Sequence, residues 1–150
     1  MPTRADVLVE QLHAASEALI TLIEAIEPTH WLQVPRGGVW SPSKDAEHVA
    51  EGNALHQWHI RQSLGHKAGR RPAVNRDRLV AERAHAEVVE LLRLRTEDSV
   101  GLISSLTDEQ LDLPMRTRTG TVGDVIERTL IGHFDTHRVE IEAKLDRLLG

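Results

Sequence analysis

Hydrophobic and polar positions along this 150-residue chain fall into four long stretches with helical spacing, and none sustains the two-residue alternation of a half-buried strand. In the first, from about residue 4 to 27, Leu8, Leu12, Ala15, Leu19, Leu22 and Ile26 share one stripe, and Pro28 stops the helix. Residues 28 to 40 hold two prolines and the Gly37-Gly38 pair, which predicts a loop. A second helix opens at Ser41-Pro42 and runs to about Leu64. Ser41 suits the cap, and Pro42 the first helical position, where its missing N–H costs nothing.

This second helix has a mixed face. His48, Gly52, Leu55 and His59 lie along it, with Val49 and Trp58 beside them. Gly65 to Asn75 reads as a linking loop. The third helix is expected over roughly 76 to 106, burying Val88, Leu92, Thr96, Ser99, Ile103 and Leu106. Thr107-Asp108-Glu109-Gln110 is a capping-box pattern for a short helical turn before Pro114. Residues 114 to 120 form a polar connection, and Thr121-Val122-Gly123-Asp124 starts a fourth helix that continues to Leu149. The pattern predicts an all-α fold: one four-helix bundle domain over residues 1–150, with connections long enough for a crossover.

Composition narrows the chemistry. There is no cysteine, which removes disulfides, thiolate-ligated zinc and a protein thiol nucleophile. A formal net charge of −5 lacks the electrostatic footprint of a nucleic-acid binder. The basic cluster Arg61, Lys67, Arg70, Arg71, Arg76, Arg78 and Arg83 reads as a solvated connection. Glu10, His13 and Glu17 interrupt the first apolar residues, so no secretory signal is expected. No apolar run approaches the roughly 20 residues of a membrane span, and the expectation is a soluble, cytoplasmic protein.

The fourth helix carries the candidate chemistry. Its apolar stripe runs Val122, Ile126, Leu130, His133, His137, Ile141, Leu145 and Leu148, so two imidazoles one turn apart occupy positions the helix should bury. Buried polar groups need partners. Core histidines are commonly satisfied by a carbonyl or carboxylate, but two on one face can also chelate a divalent ion. The residue after His133 is Phe134, not the glutamate of a zincin motif. A third ligand would have to come from a facing helix. His48 is the foremost candidate, with His56, His59 and His85 as competitors.

Two motifs together resemble the DinB/YfiT-like superfamily. One is Trp40-Ser41-Pro42 followed by His48. The other is Gly132-His133-Phe134-Asp135-Thr136-His137-Arg138-x-Glu140-Ile141, where relatives usually have Arg-x-Gln-Ile after the second histidine. The resemblance spans nearly the whole chain and implies a DinB-like four-helix bundle with a crossover connection. It also implies three histidines binding a divalent metal, often nickel or zinc, at the positions of His48, His133 and His137.

Some relatives are bacillithiol S-transferases or mycothiol-dependent maleylpyruvate isomerases. The resemblance therefore implies a metal-dependent thiol S-transferase or hydrolase acting on a small electrophile, with a low-molecular-weight thiol as cosubstrate and a homodimeric assembly. The alternatives are a non-catalytic metal-binding bundle and a purely structural one. Glu51, one turn past His48, is the candidate general base. Glu140 replaces the usual Gln; it is expected to pair on the surface with Lys144 at i+4, or else to orient a ligand ring.

Overall fold

Thr3 starts the first helix with a reciprocal cap: its hydroxyl accepts from the Asp6 N–H, and the Asp6 carboxylate accepts from the Thr3 N–H. In the computed structural model, which describes residues 1–38, 40–74, 83–116 and 118–149, this helix, α1, spans Arg4–Glu24. It stops short of Pro28, because the chain tightens into shorter-range turns at Ala25 and Ile26. Residues 28–31 are not the loop expected. Pro28 sits in the first turn of a short helix, α2 (Pro28–Trp31), which buries Trp31.

The longest helix, α3 (Pro42–Ser63), opens as expected: the Ser41 hydroxyl accepts from the Lys44 N–H at 3.2 Å. The next, α4, covers His85–Ser104 and so begins later than residue 76. Residues 76–82 lie outside the described residues, and Arg83 and Ala84 are not helical. Side chains fix this start. The His85 ring stacks on Trp31 with centroids 4.2 Å apart, its Nε2 lies 2.9 Å from the Ile26 carbonyl, and the Trp31 indole N–H donates to the Arg83 carbonyl at 2.6 Å.

Thr107 and Gln110 form the expected capping box at α5 (Asp108–Leu111). The following connection folds back on itself: the Met115 N–H donates to the Gly120 carbonyl and the Val122 N–H to the Leu113 carbonyl. Gly120 has a φ of +98°, a conformation that side chains with a Cβ rarely adopt. Thr121 and Asp124 then cap α6 (Val122–Val125), which continues through a π-helical segment, Ile126–Ile131, into α7 (Gly132–Leu149).

Helix α1 packs on α4 and α7, and α3 packs on the same two, so α1 and α3 face each other across the bundle. The stripes expected for α1 and α4 are largely those observed. Leu12, Leu19 and Ile23 meet Val88, Leu92 and Ile103, all fully enclosed, and each such side chain contributes roughly 1.5–3 kcal/mol by leaving water. Helix α3 is different, because much of its buried surface is polar. Gln57 donates to Asn53 Oδ1 (2.7 Å) and to Ser99 Oγ (2.9 Å), and Ser99 donates to Asn53 Oδ1 (2.7 Å). The fold is all-α, and among the described residues no helix is long and apolar enough to cross a membrane.

Candidate metal centre

Three imidazoles converge where α3 faces α7. His48 is the seventh residue of α3; His133 and His137 lie in the first two turns of α7. Ring centroids are 4.9 Å apart for His48–His133, 5.0 Å for His48–His137 and 4.5 Å for His133–His137, with the rings edge to face. One nitrogen of each lies within 4.8 Å of the others. His48 and His137 are buried, and His133 is half-buried, which leaves the cluster open on one side.

The π-helical segment immediately precedes this group. A wide turn takes in one extra residue, so the face presented beyond it is rotated by about 100° relative to an uninterrupted α-helix. Ile126, Leu130 and Ile131 are buried within the segment, and Phe134, His137 and Ile141 after it.

Space for the rings comes from Gly52, one turn past His48. A Cβ added there would lie 2.6 Å from Cε1 and 2.9 Å from Nδ1 of His133, closer than real Cβ contacts come. Orientation comes from acids. His137 Nδ1 lies 3.1 Å from Asp45 Oδ1 and 3.1 Å from Glu140 Oε2, so it donates to carboxylate and its Nε2 is the nitrogen left for a ligand. Asp45, fully enclosed in the first turn of α3, also contacts the Lys144 ammonium from α7.

The surface pair expected of Glu140 and Lys144 is not what forms, and Glu140 takes the other expected role, at a ligand ring. They do not pair with each other: Lys144 turns inward to Asp45, while Glu140 reaches back to His137. Arg138, which follows the second histidine, pairs with Glu142 at 2.9 Å on the helix surface. A second group, Asp45, His137 and Glu140, also has metal-ligand geometry. Its Asp45 carboxylate is already paired with Lys144, however, and it draws on Nδ1 of His137, the opposite nitrogen from the Nε2 left for the histidine group. The three imidazoles are the better-suited donors, and the residues present fit a divalent ion of intermediate softness.

The competing histidines separate. His85 is a satisfied, half-buried histidine, stacked on Trp31 and bonded to the Ile26 carbonyl. His56 lies two turns past His48, edge-on to His133 at 5.4 Å. Burial, with Arg118, His59 and His48 nearby, pushes its pKa down to about 4, so it is a neutral imidazole at pH 7. Burial and the Arg118 and Arg71 charges also lower the pKa of His59, whose ring packs against Trp58. Glu51 lies with Glu47, Arg83 and Arg95, on the side of α3 that faces α4. Burial, then the Glu47 charge, raise its pKa against those two arginines. Arg83, read from sequence as part of a solvated cluster, is 3.1 Å from the buried Glu47 carboxylate; Arg76 and Arg78 lie outside the described residues.

Sequence reasoning missed Asp45, Lys144 and the steric role of Gly52. One signal was present: Lys144 falls seven residues after His137 and three after Ile141, on the stripe the helix buries, and a charge there requires a buried partner.

No curated protein and no solved structure matches the chain. A family model does: that of the DinB superfamily, over residues 11–141. This span runs from α1 to α7 and takes in all three converging histidines, and the chain belongs to the DinB superfamily.

Proposed function

We propose that the protein is a divalent-metal-dependent enzyme that transfers a small thiol to an electrophile or hydrolyses the electrophile, with His48, His133 and His137 as ligands and nickel or zinc as the ion. The observation that carries the reading is the convergence of the three imidazoles over Gly52, where even a methyl group would collide with His133.

A divalent ion held there would favour the thiolate form of a coordinated thiol, or lower the pKa of bound water toward about 7. The chain's own residues define the rest. Asp45 and Glu140 hold the His137 ring so that Nε2 faces the centre, and Lys144 holds the Asp45 carboxylate in place. The half-buried side of His133 gives a reactant its way in. Because the chain has no cysteine, the thiol is a separate cosubstrate. The proposed assembly is a homodimer, and no nucleic acid or membrane partner is invoked.

The test is to strip the protein with a chelator, reload it with nickel or zinc, and assay low-molecular-weight thiols against a chlorinated arene and an epoxide. Metal-dependent adduct or hydrolysis product is expected. Stoichiometric metal uptake without turnover would instead assign the bundle to metal binding alone. Failure to take up metal would refute the assignment of the three histidines.

A further inference from the structure

Two features next to the three-histidine cluster are unexplained by it. The first is His56. Only 8% of the residue is exposed, and among the described residues its Nδ1 is enclosed without a hydrogen-bond partner. Such a group destabilises the fold unless something satisfies it. The second is Arg118, half-buried in the connection between α5 and α6. Among the described residues its guanidinium makes neither an ion pair nor a hydrogen bond.

The fold brings these two together. The Arg116 N–H donates to Ser63 Oγ at 3.0 Å, and Ser63 donates in turn to the His59 carbonyl at 3.1 Å, which docks the connection on the last turn of α3. The Arg118 charge acts on both His56 and His59, and Arg71 adds to it at His59; no acid is among the charges acting on either ring. The result is a positive charge, an unsatisfied imidazole nitrogen and an unused guanidinium, with the His56 ring edge-on to His133.

We propose that His56 and Arg118 form a subsite for a carboxylate carried by one of the reactants. A planar carboxylate matches one guanidinium fork and one imidazole N–H; it would satisfy His56 Nδ1 and neutralise Arg118 together. Its position against His133 sets the reacting end of the same molecule at the three-histidine cluster. The purpose of the subsite rests on the metal-centre reading, whereas carboxylate binding itself does not require metal. The carboxylate belongs to the electrophile or to the thiol cosubstrate.

Binding is tested first on the full-length, metal-free protein by following histidine ring nitrogens by NMR during titration with succinate and, separately, with the neutral succinamide. Succinate is expected to shift His56 and His59 saturably, and succinamide to leave them unmoved. Arg118→Gln should weaken succinate binding about tenfold or more, and Arg118→Lys should recover part of it. Equal responses to succinate and succinamide, no response to succinate, or undiminished binding by Arg118→Gln would overturn the proposal. The ligand comparison uses one protein, so it stands even if a variant folds poorly, and failure of the metal reading leaves it untouched.

A second arm identifies the source, using cobalt-loaded protein and thiolate-to-cobalt absorption. A preference for 3-mercaptopropionate over ethanethiol that Arg118→Gln abolishes assigns the carboxylate to the thiol. Equal binding of the two thiols, with succinate binding alongside either, assigns it to the electrophile.

Discussion

Gly52→Ala isolates the metal site from the fold. The added methyl would sit 2.6 Å from His133 Cε1, and forced overpacking in a core costs about 1–3 kcal/mol. Against this, replacing a mid-helix glycine by alanine gains about 1 kcal/mol in helix propensity. What moves decides the balance. The contact is with the far end of an imidazole that is only half-buried, not with backbone, so His133 can swing toward solvent. The fold then escapes most of the packing cost while the cluster loses one of three donors. The expected result is a metal-free variant whose stability, from urea unfolding, lies within about 1 kcal/mol of the parent. Metal affinity should fall by at least about 100-fold, the upper range seen on losing even an orienting group. Competition with a chromophoric chelator reads the second quantity. A Gly52→Ala protein that keeps full metal affinity would show that His133 is not a ligand, whatever its stability.

Further substitutions at Asp45, Glu140 and Glu51 probe the buried and half-buried acids. Asp45→Asn removes the carboxylate charge facing His137 and strands the Lys144 ammonium. It should cost about 3 kcal/mol in urea unfolding, where a surface pair would cost under about 1. Glu140→Gln keeps an oxygen acceptor for His137 Nδ1 and should bind metal within about threefold of the parent; Glu140→Ala should lose about tenfold, and chelator competition separates the two. Glu51 has a carboxyl pKa raised by burial and by Glu47, so the native state holds its proton to higher pH than the unfolded chain does. Its stabilising contribution is complete below the ordinary value of 4.5 and is lost as pH rises through the folded value. Glu51→Gln should therefore be more stable than the parent at pH 7 and equal to it near pH 4, and an inverted difference in thermal melts would refute the environment assigned to Glu51.

Elements with one apolar stripe were legible from sequence. Every position expected to be buried on α4, from Val88 to Leu106, is buried, and the starts at Ser41, Thr107 and Thr121 follow from short-range capping chemistry. Starts that depend on distant partners were not legible. α4 begins at His85 because Trp31 and Ile26, more than fifty residues earlier, hold that ring, and no local pattern encodes this. The same division runs through the site. The one-turn spacing of His133 and His137 is local, so it could be read; His48 was the foremost of four candidates by pattern and was set apart from the others by the likeness of its motif to relatives, and the structure brings all three together. The π-helical segment left no mark on the stripe, since Leu130, His133 and His137 are spaced as an ordinary helix would space them. Glu140 and Lys144 do not pair with each other, because i+4 pairing on an exposed face is worth only about 0.5 kcal/mol. A buried Asp45 in need of a cation outweighs that easily.

The supporting groups also explain why so much charge lies inside a small bundle. An enclosed ion pair such as Asp45–Lys144 is on average no better for stability than apolar side chains of the same volume. Its presence is therefore better accounted for by what it positions than by what it stabilises. Asp45 binds Lys144 through one oxygen and His137 through the other, so the cation of α7 fixes the carboxylate of α3, and that carboxylate fixes a ring of α7. Replacing Asp45 and Lys144 together by leucine and methionine should then separate the two roles. Stability should recover relative to Asp45→Asn, because no charge is left stranded, while metal affinity should stay low, because the His137 ring has lost its fully buried acceptor. If the double replacement restored metal affinity along with stability, the pair would be a packing element only, and the orientation of His137 would have to rest on Glu140 alone.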